Sequence, residues 1–170
     1  VALSHDSSCV GAASINTVDT FPVLELPGSN EPPTSGDSPG YSTAAVAELD
    51  EQNPTCLIID LTNNDGGNLF TMVQTIAPML PPGRLLSYVD RLGTEIVYSV
   101  GADGNVVTET GEVLATSLSP AIATPDRIAV IHNGLTASSG EGVLMALLGR
   151  PGVRTFGRPT NGLTTGNDLF

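Results

Sequence analysis

The chain contains no lysine. Its six basic residues are all arginine: Arg84, Arg91, Arg127, Arg150, Arg154 and Arg158. No amine side chain is therefore available as a base or as a covalent group. Tryptophan is absent too. Against the six cations stand 18 acidic residues, giving a net charge of −12. That balance argues against nucleic acid and anionic membrane surfaces as partners. No apolar run approaches the ~20 residues of a membrane-spanning helix. Cys9 and Cys56 are the only cysteines. They could form one disulfide, and they are weak support for an oxidising compartment. His5 and His132 are the only imidazoles.

What is present is enough for one domain with a real core: 170 residues, 40% of them hydrophobic. The chain starts at Val1 without Met and ends at Phe170 after a Gly/Thr-rich turn. This reads as a processed or excised piece whose secretion signal has been removed.

Val10 to Val18 reads as a strand of small residues. Pro22 to Tyr41 (PVLELPGSNEPPTSGDSPGY) reads as a long Pro/Gly/Ser-rich loop, a kind that is often functional. Ser42 is placed to cap a helix over Thr43 to Gln52, with Ala45, Val46 and Leu49 on one face. Cys56 to Leu61 (CLIIDL) is a continuous apolar run, hence a central strand buried on both faces. A glycine turn, Thr62 to Gly67, leads into a helix from Asn68 to Leu80, which Pro81-Pro82-Gly83 ends. Leu85 to Asp90, Glu95 to Val100 and Val106 to Thr110 read as strands, with a hairpin turn at Asp103-Gly104. Val153 to Phe156 is a further short strand. Helices alternate with apolar strands, which is the α/β pattern.

Everything is organised around Arg127 to Arg150 (RIAVIHNGLTASSGEGVLMALLGR). A buried strand, Ile128 to Ile131, runs through a short turn into an apolar helix that opens near Ser138. A serine at a helix N-terminus can attack a carbonyl while neighbouring backbone N–H groups hold the oxyanion. The plain alternative is that Thr136, Ser138 or Ser139 only caps the helix, and local pattern alone favours it. The two glycine-bearing turns, Asp60 to Gly67 and His132 to Gly140, should meet at the carboxyl ends of neighbouring interior strands. Gly66 and Gly67 would let a backbone N–H approach a ligand; the alternative is a tight structural turn.

Two segments carry a resemblance. LIIDLTNNDGGNLFTMVQTIAPML resembles the DLR-N-x-GG segment of the C-terminal-processing, or tail-specific, serine peptidases. IAVIHNGLTASSGEGVLMALLGRPGVRTFGRPTNGLTTGN resembles their nucleophile segment and the strand after it. The two come in family order, and together they reverse the preference for plain capping. The resemblance implies a crotonase-like, or ClpP-like, ββα core with a mixed sheet and flanking helices. It implies a serine nucleophile at Ser138 and an oxyanion hole from the N–H of Ser139 and of Gly66 or Gly67. It implies a peptide or protein substrate bonded beside a strand edge. It calls for no cofactor and no metal. Residues 1–170 would then be a single catalytic core lacking its C-terminal portion, secreted or held at the cell envelope, with an oligomer left open.

Departures from the family pattern narrow the mechanism. The best-known members use a Ser-Lys dyad, and Leu163 falls where that lysine would be. With no lysine anywhere, that dyad is excluded. Branches resembling the tricorn core and the lantibiotic-degrading proteases use a histidine from an early strand, where Ser14 aligns here. Thr62 replaces the motif's usual arginine, and the carboxylate-binding loop of a PDZ domain is missing. The candidate bases are His132, at the end of the strand leading to Ser138, and His5, on a segment that could fold over the site. Alternatively the base lies outside residues 1–170. Two other readings stay open: a peptide-binding pseudoenzyme of the same fold, and a crotonase-like non-peptidase. The last is disfavoured because nothing resembles a coenzyme A site.

Overall fold

A computed structural model describes residues 21–28, 43–119 and 122–164. In chain order these form β1 (Val23–Glu25), α1 (Thr43–Gln52), β2 (Cys56–Asp60), α2 (Leu69–Ile76), β3 (Gly83–Val89) and β4 (Glu95–Val100). Then come β5 (Val106–Thr108), β6 (Val113–Ala115), β7 (Arg127–His132), α3 (Ser139–Leu147) and β8 (Val153–Gly157). Strand pairing divides between two four-stranded sheets, ordered β1-β2-β7-β8 and β3-β4-β5-β6. All pairs in the first are parallel and all in the second antiparallel. The chain is thus α/β, with parallel and antiparallel sheets and a few helices.

The parallel sheet follows from the apolar runs. β2 and β7 are its interior strands, with Leu57 opposite Ile128 and Ile59 opposite Val130. Cys56, Leu57, Ile58 and Ile59 are all buried, so β2 is covered on both faces, as its unbroken apolar run implies. Fully burying each such side chain contributes about 1.5–3 kcal/mol. Cys56 is in a disulfide; Cys9, the chain's other cysteine, lies outside the described residues.

Three expectations are corrected. Residues 22–41 are not all loop: Val23–Glu25 pair with Ile58–Asp60 as a parallel edge strand. Its neighbour Pro22 keeps a place in the ladder, because its carbonyl accepts the Ile58 N–H at 2.9 Å and an edge needs no donor there. The flanking prolines hid a short alternation, in which Leu24 and Leu26 are buried and Glu25 is exposed. The helix after Gly67 does not run as α-helix to Leu80. It ends at Ile76 and tightens into a 3-10 turn over Ala77–Met79, because Pro78 has no N–H for another α-helical bond. β5 stops at Thr108, two residues early, and a turn returns the chain into β6, which is too short to announce itself. Helix α1 has its expected bounds, whereas Ser42 and the strand read at Val10 to Val18 lie outside the described residues.

Between the sheets, Leu69, Met72, Val73 and Ile76 of α2 join Val143 and Leu147 of α3 in one core with Leu86, Val100 and Val106. Tyr98 extends it, meeting Phe70 edge-on at 5.3 Å and Tyr88 at 6.0 Å between ring centroids. The β3–β4 turn is closed by Asp90, whose Oδ1 accepts the Leu92 and Thr94 N–H groups, both at 2.8 Å.

Two measurements check this account. Ile59, fully buried in β2, should cost about 2–5 kcal/mol when cut to alanine, read from urea unfolding. A loss below 1 kcal/mol would mean the strand is not in the core. The Thr94 and then the Leu92 N–H groups hold the Asp90 carboxyl below its ordinary value. The stability it lends is fully present above the ordinary aspartate value of ~4 and is lost as the pH falls below that. Asp90→Asn should flatten that part of the stability–pH curve, and curves that run parallel would refute the assignment.

Candidate active site

Strand β7 ends at His132 and the chain turns sharply. The turn is shaped by short side chains bonding to backbone. Leu135 N–H donates to Asn133 Oδ1 at 2.8 Å, and Asn133 N–H to Thr136 Oγ1 at 3.1 Å. The buried Thr136 hydroxyl donates across to the Leu61 carbonyl at 2.7 Å, tying this turn to the end of β2. Ser138 then stands at the N-cap of α3 with φ 50° and ψ −119°. Positive φ at a non-glycine residue costs on the order of 1–3 kcal/mol and persists only where the surroundings impose it. Ser138 and Glu141 form a reciprocal capping box across the first turn of the helix.

The second turn is built on Asn64, which is fully buried. Its Oδ1 accepts the Gly66 N–H at 3.1 Å, and its Nδ2 donates to the Leu26 carbonyl at 2.8 Å and lies 3.0 Å from Met72 Sδ. Its own carbonyl accepts the Ala137 N–H at 2.9 Å. Ser139 Oγ donates to the Gly67 carbonyl at 2.6 Å. Through these bonds the two turns meet. A Cβ on Gly66, whose φ is +114°, would lie 2.7 Å from Ser138 Cβ and 3.3 Å from its Oγ. On the other side, a Cβ on Gly140 would lie 2.5 Å from Asn64 Oδ1. Gly66 and Ser138 therefore share one edge of the parallel sheet, beyond the carboxyl ends of β2 and β7.

Several backbone donors here are already used. Ser138 N–H goes to Glu141 Oε2 at 3.1 Å, and Gly140 N–H to the Ala137 carbonyl at 2.9 Å. Ser139 N–H has no acceptor among the described residues. Gly66 N–H is committed to Asn64, which leaves Gly67 as the other member of the glycine pair. His132 does not bond to Ser138. Its Nδ1 donates to the Arg158 carbonyl at 2.8 Å, so the neutral ring keeps its basic lone pair on Nε2. His5 lies outside the described residues. Leu163, where the family's lysine would stand, is 57% exposed. Among the described residues no three His, Cys, Asp or Glu side chains gather as a metal centre, and no helix is long and apolar enough to cross a membrane. Reading the sequence missed Asn64 and Thr136 as the joints of the site. The quoted motif contained the asparagine, but its carbonyl-to-turn bonds have no local signal.

A parallel sheet, a glycine turn and a strained serine at a helix start thus meet at one place, and residues 23–170 match the sequence profile of peptidase family S41. The chain belongs to that family. It is 30% identical over 132 residues to the nisin-resistance protein of Lactococcus lactis subsp. lactis, covering 75% of this chain and 39% of that protein. Among solved structures it resembles a lipoprotein from Streptococcus agalactiae, at 29% identity and a TM-score of 0.65. That likeness covers 87% of this chain and 49% of the other. It also resembles the photosystem II D1 C-terminal processing protease, at 29% identity and a TM-score of 0.52, over 71% of this chain and 27% of that one. A putative S41 protease from Bacteroides fragilis shares the fold, with a TM-score of 0.54 over 86% of this chain and 36% of that one. The chain thus spans half or less of the length of each of these relatives.

Substituting the contact glycines checks the meeting of the turns. Gly66→Ala and Gly140→Ala should each destabilise by about 1–3 kcal/mol, the cost of overpacking, although each adds only a methyl group. Thermal melts within a degree of wild type for both would mean the turns are not in contact.

Proposed function

We propose that this chain is the catalytic core of a serine peptidase of the tail-specific class, with Ser138 as nucleophile. Ser138 Oγ attacks the scissile carbonyl carbon as a base takes its proton. The oxyanion is held by the N–H of Ser139 and of Gly67. Collapse of the intermediate breaks the C–N bond, and the base returns its proton to the leaving amine. Water then attacks the acyl-enzyme by the same route and frees the acid. One observation carries this reading: a strained serine starts a helix with the Gly66 backbone packed against it. Family membership supports the reaction class, and a Ser139 N–H with no acceptor among the described residues supports its role as donor.

The base is His132 acting through Nε2, or His5, or a group beyond residues 1–170. The substrate is a peptide or protein. A secreted or envelope location is supported by relatives described as a lipoprotein and a nisin-resistance protein. That residues 1–170 form one core of a larger catalytic unit is supported by the share of each relative that they span. A second reading, the peptide-binding pseudoenzyme, is favoured by two facts. Leucine stands at the lysine position, and His132 bonds to a carbonyl rather than to Ser138.

Peptide hydrolysis by the full-length protein and two serine variants tests this. Ser138→Ala should lower turnover by several powers of ten, leaving only what the hole and binding supply. Ser139→Ala should do far less to the chemical step, because its backbone N–H survives. Equal turnover in wild type and Ser138→Ala would remove the nucleophile assignment. Peptide binding without turnover in all three would favour the pseudoenzyme.

A further inference from the structure

Glu141 is the only buried charged side chain among the described residues, 3% exposed. A buried carboxylate is tolerated only when its oxygens are hydrogen-bonded. Both are: Oε2 accepts the Ser138 N–H at 3.1 Å, and Oε1 accepts the Gly162 N–H at 2.7 Å. The first bond is ordinary for a glutamate three residues into a helix. The second is not needed to cap a helix. It joins α3 to the segment that follows β8, which crosses the serine turn and is held there at other points. Arg158 N–H donates to the His132 carbonyl at 3.2 Å, and Asn161 N–H to the Thr136 carbonyl at 2.9 Å.

The geometry points to Glu141 as a positioning residue for Ser138, clamping its peptide from one side and the 158–162 segment from the other. Ser138 is held at positive φ, and its ψ sets the plane of the peptide that carries the Ser139 N–H. Release of the Ser138 N–H lets that peptide relax to a commoner conformation, turning the hydroxyl and the Ser139 donor away from each other. Glu141 also occupies the Ser138 N–H, so the donor left facing the site is that of Ser139. The inference rests on Ser138 being the nucleophile, but its structural half can be tested alone.

The experiment compares full-length wild type with Glu141→Gln, which keeps the size of the side chain and one acceptor oxygen. Two readouts are taken: amide hydrogen exchange, and the rate at which a fluorophosphonate probe labels Ser138, located by mass spectrometry. Glu141→Gln leaves one acceptor for two donors, so exchange should speed at Ser138 or at Gly162, whichever N–H meets the amide nitrogen. Labelling should slow on the order of a hundredfold, the scale of a displaced reacting group, and with a peptide substrate the loss should fall on kcat rather than KM. Unchanged exchange at both amides would overturn the clamp. Faster exchange at Ser138 alone, with labelling at the wild-type rate, would reduce Glu141 to a helix cap. If Glu141→Gln does not fold, Glu141→Asp replaces it, because its shorter arm cannot reach both donors. Exchange at one of the two amides should then rise, and unchanged exchange at both would overturn the clamp. A wild type that the probe does not label at Ser138 removes the nucleophile reading, while the exchange arm still decides the clamp.

Discussion

One buried residue, Asn64, bonded through both its side-chain amide and its backbone carbonyl, is the constraint on which the rest of the site depends. It sits where β1, the β2–α2 turn, α2 and the β7–α3 turn converge, and it satisfies polar groups from several of them at once. Leaving any of those groups unpaired in a dry interior would cost about 1–3 kcal/mol. The asparagine can fill this place because it carries donor and acceptor on one short planar group. The neighbouring glycines complete the joint: with no side chain at Gly66 or Gly140, the two turns approach to backbone contact. Ser138 is thereby brought against a glycine backbone more than 70 residues away in the chain.

The strain at Ser138 makes sense within that joint. An isolated serine would leave positive φ within nanoseconds, because better conformations are freely accessible. Here Ala137 is bonded to Asn64, Ser139 to Gly67, Thr136 to Leu61, and Ser138 itself to Glu141. Each bond contributes only about 0.5–1.5 kcal/mol net, but together they exceed what the strained residue costs. The result is a turn whose hydroxyl and backbone donors are oriented before any ligand arrives. Acyl-transfer sites use donors oriented in advance to stabilise a developing oxyanion, which is the role proposed for this turn.

Much of this was legible in the chain because it rests on local rules. The run CLIID reads as a strand covered on both faces, and RIAVIH as its interior neighbour, although only Ile128 and Val130 of it are fully buried. Asp103-Gly104 announced a hairpin, and the strand–glycine turn–helix pattern placed Ser138 at a helix start. Where reading failed, the cause was also local. Val23–Glu25 is three residues between prolines, too short for its alternation to register until β2 supplies the ladder. Pro78 shortened α2, a stop that the apolar periodicity ran past.

By itself the sequence determined the α/β class, the positions of the two glycine-bearing turns, and the absence of any lysine base within residues 1–170. Those follow from periodicity, turn chemistry and composition, which are properties of neighbours in the chain. Only the tertiary structure decided that Gly66 N–H is spent on Asn64 while Ser139 N–H finds no acceptor among the described residues, and that His132 turns to the Arg158 carbonyl. It alone decided that the buried Glu141 carboxylate joins two segments. Each of these is a hydrogen bond whose partner is chosen by how strands and turns pack, and no spacing along the chain encodes which donor meets which acceptor.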